Sequence, residues 1–202
     1  DYSHQSWQNR NNFKTPDGLG LFTIPTRSKN ESKLIKFIEI DNAEFVKKKF
    51  IKFISSNYNK SKFFNHYKDN FYNIVDIAFS HNNLFKLNFE FIKWIVKIIG
   101  LRAEIHLSSE LKLKTNKIEK VIDICKYFAA DEYLSTIGSK AYMMGNENLF
   151  QKNNNKLIYH SYKHPKYKQL FGPFVEYACI LDLLFNEGGE SLSIINSGRF
   201  IN

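Results

Sequence analysis

Cysteine is scarce in this sequence of 202 residues, and the placement of its two copies excludes several kinds of protein. Cys125 and Cys179 form no CxxC pair and have no histidine at a metal-ligand spacing. Both lie within apolar helical patterns, which favours buried, reduced thiols. We therefore expect neither a disulfide framework nor a cysteine-based metal site, and we expect a reducing compartment.

A long uninterrupted apolar run is also missing. The longest one, Phe89 to Leu101, is broken by Lys93 and Lys97, whereas a membrane-spanning helix needs about 20 mostly apolar residues. The chain does not open with the charged and then apolar segments of a secretory signal. We therefore expect no membrane span.

Arginine is rare although the chain is basic. The formal net charge is +9, and it comes from 25 Lys against 4 Arg. Nucleic-acid-binding proteins usually concentrate basic residues in a stripe and use Arg for bidentate contacts to bases and phosphates. Because the lysines are spread over nearly every segment here, the sequence disfavours nucleic acid as the partner.

Aromatic residues are abundant, and they predict a substantial core. With 43% hydrophobic residues, 19 Phe and 11 Tyr, the chain can form a single α/β domain over residues 1–202. Helical spacing of apolar residues predicts an added helical segment from 41 to 100, closed by Gly100. Short strands are predicted at Leu21 to Pro25 and at Leu34 to Ile40, with a loop rich in Ser, Lys and Asn between them.

Three apolar runs in the second half each end in small hydroxyl, basic or imidazole residues. The first run, Arg102 to Leu107, is followed by Ser108-Ser109-Glu110. The second, Glu132 to Leu134, is followed by Ser135 through Lys140, and the third, Leu157 to Tyr159, by His160 through His164. A predicted helix after Thr115 separates the first two runs, as in a βαβ unit. The sequence therefore predicts a partly parallel, Rossmann-like sheet flanked by helices, with a ligand site at its carboxyl edge. A last helix is predicted from about Phe174 to Phe185, ended by Gly188-Gly189.

The segment Gly138-Ser139-Lys140 can present backbone N–H groups, a hydroxyl and an ammonium to a phosphate. It lacks the GxxxxGK[ST] spacing of a phosphate-binding loop of ATPases, so the sequence gives no support for ATP-driven phosphoryl transfer. The alternative is a glycine turn with a solvated lysine. Ser108 and Ser135 are further candidate ligand-binding residues at the same predicted edge.

His164 is the candidate catalytic residue, because an imidazole is the natural base near neutral pH for an amine or hydroxyl nucleophile. Pro165 disfavours a continuous helix through His160 and His164, and no HExxH motif is present, so no metal site is predicted. His160, Tyr162 and Tyr167 are predicted ligand-binding neighbours. A structural, hydrogen-bonded histidine is the alternative, and without a GxSxG motif a serine hydrolase is disfavoured.

The N-terminal segment offers a second candidate binding set. Trp7 can stack on a base or sugar, Asn9 can hydrogen-bond its edge, and Arg10 can bind a phosphate or carboxylate. The alternative is an ordered segment whose amides satisfy backbone groups. Because the chain opens at Asp1, we also expect that an N-terminal strand and loop are missing from it.

Several stretches together resemble the WbqC-like family of bacterial polysaccharide and O-antigen gene clusters. They are Ser6-Trp7-Gln8-Asn9-Arg10-Asn11 with Lys14-Thr15, Leu107-Ser108-Ser109-Glu110-Leu111, Leu134-Ser135 through Gly138-Ser139-Lys140-Ala141-Tyr142, His164-Pro165 with Tyr167 and Gln169, and Leu183-Leu184-Phe185-Asn186. Members of that family begin with a further strand and a His-Gln-Pro loop that this sequence lacks. The resemblance implies a cytoplasmic enzyme of glycan biosynthesis that modifies an amino sugar on a nucleotide carrier.

Two functions remain open on these grounds. The first is a transferase that binds a nucleotide-linked sugar or another phosphorylated small molecule and transfers an acyl or aminoacyl group to it. The second is a non-catalytic module that binds an anionic ligand or scaffolds a glycan-assembly pathway. No motif in the sequence identifies a cofactor.

Overall fold

The computed structural model describes residues 1–27 and 34–201. The chain divides into two compact units. The first comprises Asp1–Ala103 and Lys166–Ile194, and the second comprises Glu104–Pro165 and Ile195–Asn202. That the whole chain is a single domain stays a prediction.

A β-hairpin opens the first unit. β1 spans Arg10–Thr15 and pairs antiparallel with β2, which spans Gly18–Thr23. Gly18 has a φ of +105°, a backbone conformation that favours glycine, so the tight turn needs this residue type. β2 confirms a strand in this part of the chain, although it spans Gly18–Thr23 and not Leu21 to Pro25, while β1 was not predicted.

Three long helices follow the hairpin. α1 spans Ala43–Tyr58, α2 spans Phe64–Ser80 and α3 spans Leu84–Ile98. They confirm the predicted helical segment from 41 to 100. Gly100, with a φ of +77°, follows the end of α3 as predicted.

The predicted strand from Leu34 to Ile40 is wrong. A short 3-10 helix spans Ile35–Phe37, and Ile40 joins Thr26 through an isolated bridge. Apolar β-branched residues mark a segment that can form a strand, but a strand also needs a partner of matching length. The loop predicted before Leu34 falls on residues 28–33, which lie outside the described residues.

The second unit contains the middle elements of the chain. α4 spans Lys117–Tyr127, β3 spans Glu132–Thr136, α5 spans Lys140–Met143, α6 spans Glu147–Lys152 and β4 spans Lys156–Tyr162. β3 and β4 confirm the second and third predicted strands, which extend further than the apolar runs.

The C-terminal part begins with α7, which spans Ile180–Glu187. The prediction placed its start too early, at Phe174. Gln169 explains the difference, because its Oε1 accepts from Val175 N at 2.8 Å and its Nε2 donates to Val175 O at 3.1 Å. These bonds occupy backbone groups that a helix would use, and Tyr177 has a φ of +64°.

A 3-10 helix over Gly188–Glu190 follows α7, and it is succeeded by α8 and a short strand. α8 spans Ser191–Ser197, and β5 spans Arg199–Ile201. The Gly188 backbone requires glycine, because its φ is +58° and a Cβ atom there would lie 2.7 Å from the ring of Phe63. The predicted stop at this glycine is confirmed for α7.

The sheet of the second unit has three strands in the order β3-β4-β5. β3 and β4 are parallel, with Ser135 opposite Tyr159 and Thr136 opposite His160, while β5 is antiparallel to β4. The predicted parallel pairing is confirmed for these two strands, and the mixed α/β class is confirmed as well. The Rossmann-like arrangement is not confirmed, since the sheets of the described residues have two and three strands.

The predicted strand from Arg102 to Leu107 is wrong. Residues 101–107 have no regular secondary structure, and Leu101 and Ile105 are exposed. The alternation of apolar and charged residues satisfied the pattern of a strand, yet the segment has no strand beside it in the described part of the chain. Ser108 consequently lies in an exposed turn and not at a strand end.

Candidate functional site

A large cavity lies within the first unit. Its volume is about 520 Å³, which falls in the range of roughly 300–1,000 Å³ that small-molecule sites have. Aromatic and aliphatic side chains from the hairpin, α1, α2, α3 and α7 form most of its wall. They are Phe13, Phe22, Ile24, Phe50, Phe79, Leu87, Phe91, Ile92, Ile95, Val96, Ile180 and Leu181.

Polar groups of the cavity come together at the N-terminal segment. Gln8, Asn9 and Arg10 line the cavity, and so does Asn88 of α3. The Asn88 side chain donates to the Gln8 carbonyl at 2.7 Å, which fixes α3 against this segment. Trp7 also lines the cavity, and its side chain is 70% exposed. The segment predicted to bind a ligand therefore forms the polar part of the cavity.

Asn9 carries a polar atom without a partner. The residue is 4% exposed, and its Nδ2 donates to the Ile24 carbonyl at 3.1 Å. Its Oδ1 is buried and accepts no hydrogen bond within residues 1–27 and 34–201. A buried unpaired carbonyl oxygen costs free energy, so a donor from a ligand would stabilise this arrangement.

Arg10 adds a positive charge at the same place. Its guanidinium is half-buried and forms no ion pair with any acidic side chain of the described residues. A guanidinium prefers bidentate contacts to carboxylate or phosphate. Asn9 and Arg10 both line the cavity, but they are successive residues of an extended segment, in which neighbouring side chains point to opposite faces.

A network of buried, hydrogen-bonded polar side chains includes Asp182 of α7, which follows the cavity residues Ile180 and Leu181. Asp182 is fully buried, and its Oδ2 accepts from Tyr167 Oη at 2.7 Å and from Gln169 Nε2 at 2.9 Å. Tyr167 is one of the predicted ligand-binding residues, and its hydroxyl contributes to this network. Burial raises the pKa of Asp182, while the hydrogen bonds from Tyr167 and Gln169 act in the opposite direction.

Lys14 and Tyr58 belong to the same network. Lys14 is 2% exposed, its Nζ donates to the Pro173 carbonyl at 3.0 Å, and its backbone N–H donates to Tyr58 Oη at 2.9 Å. Burial raises the pKa of Tyr58 far above its ordinary value, and the charge of Asp182 adds to the shift. The network ties β1, α1 and α7 together, so its primary effect is structural.

Cys179 lines the cavity but is not a reactive thiol. Burial of its thiol raises the pKa to about 12 from the ordinary value of 9.0, so the nucleophilic thiolate is scarce near neutral pH. Both cysteines are free; Cys125 is buried and Cys179 is partly buried.

A second cluster lies at the carboxyl end of the parallel strands in the second unit. Ser135 of β3 is 3% exposed, and its Oγ is buried without a hydrogen-bond partner among the described residues. The hydroxyl of Tyr159, opposite it on β4, is likewise buried and unpartnered there. Lys140 Nζ lies 5.7 Å from the centroid of the Tyr159 ring. Ser135 and Tyr159 therefore share one face of the sheet near the end of the parallel pair, with the Lys140 ammonium over the Tyr159 ring.

The predicted anion-binding segment follows directly after β3. Gly138 and Ser139 form one turn of 3-10 helix, and Ser139 Oγ lies 3.1 Å from Thr136 Oγ1. Gly138 is exposed, and a Cβ atom there would meet nothing within 4 Å. Space for a ligand is thus available beside this turn.

His160 and Tyr162 lie on the other face of β4. Successive residues of a strand point to opposite faces, so both are separated from Tyr159, which shares its face with Ser135. The rings of His160 and Tyr162 are 6.2 Å apart, and those of Tyr162 and His164 are 5.9 Å apart. The predicted ligand residues of this unit therefore divide between two faces of the sheet.

His164 has a defined orientation. Its Nδ1 lies 3.0 Å from the Pro165 carbonyl oxygen, which can only accept. The proton of the neutral ring consequently sits on Nδ1, and Nε2 is the nitrogen that lacks one. This tautomer is the one that a general base at Nε2 requires.

No group of three or more His, Cys, Asp or Glu that could hold a metal ion occurs in residues 1–27 and 34–201. Over the same described ranges, no helix has the length and apolar character needed to cross a membrane.

Comparison with known proteins connects these features to a family. The sequence profile of the WbqC-like protein family matches residues 1–194. The chain belongs to the WbqC-like family. It is 30% identical over 192 residues to the uncharacterized protein Rv1507c of Mycobacterium tuberculosis, a match that covers 94% of this chain and 81% of that protein. No solved structure matches.

Several residues of this WbqC-like protein were missed by reasoning from sequence. Asn88 lies on the apolar stripe of α3, four residues before Ile92, and an amide at such a position is a signal that could have been used. Lys14 and Asp182 look like ordinary surface residues, because nothing local shows that they are buried near each other. Their roles depend on contacts across about 160 residues of chain, such as that of Lys14 with Pro173.

Proposed function

We propose that this WbqC-like protein is a cytoplasmic enzyme of bacterial surface-polysaccharide biosynthesis that transfers an acyl or aminoacyl group to an amino sugar on a nucleotide carrier. Family membership supports the glycan context, as the resemblance implies. The observation that carries the choice of a nucleotide-linked ligand is the cluster of Ser135, Tyr159 and Lys140 at the ends of two parallel strands.

The cluster suits a phosphorylated sugar for a physical reason. Buried hydroxyls that lack partners are costly unless something satisfies them. The phosphate oxygens and sugar hydroxyls of a nucleotide-linked sugar can accept from and donate to Ser135 and Tyr159, and Lys140 supplies the positive charge. Open strand ends of a parallel pair are also where α/β proteins bind such ligands.

His164 is the proposed base. The amine nitrogen of the sugar attacks the carbonyl carbon of an acyl thioester, so that a C–N bond forms and the C–S bond breaks. The proton of the amine passes to Nε2 of His164, and the sulfur leaves as a thiolate that is protonated afterwards. The hydrogen bond of Nδ1 to the Pro165 carbonyl holds the ring in the matching tautomer.

An activity assay with a single substitution tests this proposal. In an assay of acyl or aminoacyl transfer to nucleotide-linked amino sugars, His164→Ala should lower kcat by about 10²–10⁴-fold and leave the Kd of the sugar nearly unchanged. His66→Ala, which removes an exposed histidine of α2, is the matched control and should keep full activity. Absence of any transfer by the wild-type protein, with an effect of His164→Ala on affinity alone, would instead indicate the non-catalytic binding module.

A further inference from the structure

The cavity of the first unit has a mostly apolar wall, and this wall suits a ligand of a different class from a nucleotide-linked sugar. We infer that the cavity binds a single unbranched alkyl chain, the chain of a fatty acid or of its ester, with the polar head group in the solvent at the mouth. The inference concerns the first unit alone and is independent of the proposed function.

The buried side chains of the wall offer no hydrogen bond to a ligand. Phe13, Phe22, Phe50 and Leu87 line the cavity, and each is 7% exposed or less. A sugar or a nucleotide base placed against them would lose hydrogen bonds to water without replacing them. A hydrocarbon chain loses none, and it gains free energy from each methylene group that it buries.

The polar residues of the wall are largely committed to the protein itself. Asn88 Nδ2 donates to the Gln8 carbonyl at 2.7 Å, and Gln8 Oε1 accepts from Ser3 N at 2.8 Å. Asn9 Nδ2 donates to the Ile24 carbonyl at 3.1 Å. The unpaired Oδ1 of Asn9 exposes less than 1 Å² of surface, so a ligand in the cavity reaches it only if the chain moves. A polar ligand would therefore find few partners in this wall.

Arg10 is the charged residue among the described residues that line the cavity. Successive residues of a strand point to opposite faces, so the Arg10 side chain lies on the other face of β1 from Phe13. It therefore places no charge beside the buried rings of the wall. A hydrocarbon chain against Phe13 does not have to displace water from a guanidinium.

The aromatic rings of the wall favour a flexible chain over a flat ligand. The Phe50 ring is inclined by 59° to the ring of Phe22 and by 68° to that of Phe13. It is inclined by 83° to the ring of Phe91. Because these pairs are not parallel, they form no slot with two parallel faces on which an aromatic ligand could stack. A chain of methylene groups can bend to follow such a wall.

The apolar surface continues to the mouth of the cavity. Trp7 and Ile92 line the cavity, and they are 70% and 52% exposed. Residues that both line a cavity and reach the solvent mark its opening. Large apolar groups at the opening let a hydrocarbon chain pass outwards without crossing a polar rim. The head group can therefore stay hydrated outside, while the chain occupies the volume of about 520 Å³.

A series of straight-chain carboxylates tests the inference. Hexanoate, octanoate, decanoate and dodecanoate are titrated calorimetrically into the protein, below the concentrations at which they form micelles. The affinity should rise about fourfold for each methylene group that becomes fully buried, until the cavity is filled. No binding of dodecanoate, or an affinity that does not rise from hexanoate to dodecanoate, overturns the inference.

Two further probes define the ligand more closely. 4-Phenylbutanoate has as many carbon atoms as decanoate but ends in a ring, and tighter binding of this compound than of decanoate overturns the choice of an unbranched chain. Monododecanoylglycerol carries the chain of dodecanoate as an ester. Binding of both dodecanoyl compounds supports a chain with its head group in solvent, whereas binding of dodecanoate alone supports the chain and identifies the free fatty acid as its source.

Two matched substitutions test the assigned place of the chain. Ile92→Trp should weaken dodecanoate about tenfold or more, because the larger side chain fills the mouth. Ile77→Trp, at an exposed position of α2 that does not belong to the described wall, should leave the affinity unchanged. Thermal melts show whether each variant is folded. Equal affinity of Ile92→Trp and the wild-type protein, or equal losses in the two variants, overturns the inference.

The fluorescence of Trp7 gives a second readout that needs no change in the cavity. The sequence has two tryptophans, so Trp94→Phe leaves Trp7 as the single one. Trp94 does not belong to the described wall of the cavity. Dodecanoate should shift the emission of Trp7 to shorter wavelength, because a chain at the mouth shields the indole from water. Binding of dodecanoate to this variant without any change in the emission overturns the assigned place.

Discussion

The two units of this protein can be compared through their buried polar side chains. In the first, Asp182 is fully buried, and one of its oxygens accepts from Tyr167 and from Gln169. In the second, the hydroxyls of Ser135 and Tyr159 are buried without partners among the described residues. Paired polar groups specify and rigidify a fold, whereas unpaired ones cost stability. Unpaired buried atoms occur in the first unit too, among them Asn9 Oδ1 and Asp182 Oδ1, so what distinguishes the cluster on β3 and β4 is its place near the end of two parallel strands, beside Lys140.

The apolar cores differ as well. The first unit has a large cluster of buried aromatic and aliphatic residues, while the cluster of the second consists of Ile118, Ile122, Met143 and Phe150. A small core has few other buried side chains, so the removal of one side chain takes away a larger fraction of its buried apolar area. The second unit should therefore be the more sensitive of the two to a single core substitution.

The largest expected effect is that of truncating a core aromatic residue in either unit. Phe150→Ala should cost about 3–5 kcal/mol, because Phe150 is fully buried and stacks on Tyr133. Hydrogen exchange should show lost protection in β3 and β4, with protection in α2 retained. Phe71→Ala, in the first unit, is the mirror experiment and should reduce protection in α2 and α3 instead. Uniform loss over the whole chain for both variants would contradict the distinction.

The next effect is that of removing the buried carboxylate of the first unit. Asp182→Ala should cost about 3 kcal/mol, because Tyr167 and Gln169 lose the acceptor of their hydrogen bonds inside the protein. Chemical denaturation followed by the fluorescence of Trp94, which is buried in the same unit, measures the change. Asp182→Asn keeps an oxygen acceptor and should cost less. Equal stability of the wild-type protein and Asp182→Ala would show that the network is dispensable.

Alkaline pH should weaken the first unit through Cys179. The folded pKa of about 12 lies above the ordinary value of 9.0, so the unfolded state loses its thiol proton first. Stability should thus fall as pH rises from 9 towards 12, by at most about 1.4 kcal/mol per pH unit from this group. Denaturation at several pH values should show a shallower fall for Cys179→Ala in reducing buffer. Identical slopes for both proteins would refute the assignment.

The smallest effect is expected for the unpaired serine of the second unit. Ser135→Ala should change the free energy of unfolding by less than about 0.5 kcal/mol, because the hydroxyl forms no hydrogen bond with the described residues that the substitution could break. Ser191→Ala is the matched control, since its buried Oγ donates to the Gly188 carbonyl at 2.6 Å, and it should cost about 1 kcal/mol. A loss of stability at Ser135 as large as that at Ser191 would mean that its hydroxyl is structural.

Periodicity predicted the elements that depend on local pattern. The three long helices, β2, β3 and β4 could be read from the spacing of apolar residues, and so could the end of α3 at Gly100. The strand expected from Arg102 to Leu107 failed because a strand needs a neighbour, which the local sequence does not reveal. The predicted start of α7 at Phe174 was too early because the Gln169 side chain hydrogen-bonds to the backbone of Val175.

The candidate site was predictable in part for the same reason. The polar residues from Trp7 to Arg10 were recognisable from their chemical types, and the structure places them at one cavity. The apolar wall of that cavity comes from four helices and a hairpin, which no local pattern connects. Ser135 and Lys140 were candidates from their place after a predicted strand. That Tyr159 lies opposite Ser135 could be known only from the register of β3 and β4. The ligand-binding and catalytic roles of these residues stay predictions.

Equilibrium binding of nucleotide-linked amino sugars tests the central claim most directly. Titration of the wild-type protein, Lys140→Gln and Lys152→Gln with UDP-, TDP- and GDP-linked amino sugars compares a cluster lysine with an exposed lysine of α6. We predict that the wild-type protein binds one of them with a shallow salt dependence, that Lys140→Gln weakens it about tenfold, and that Lys152→Gln has no effect. No binding of any of these ligands, or equal binding by Lys140→Gln and the wild-type protein, would contradict the claim.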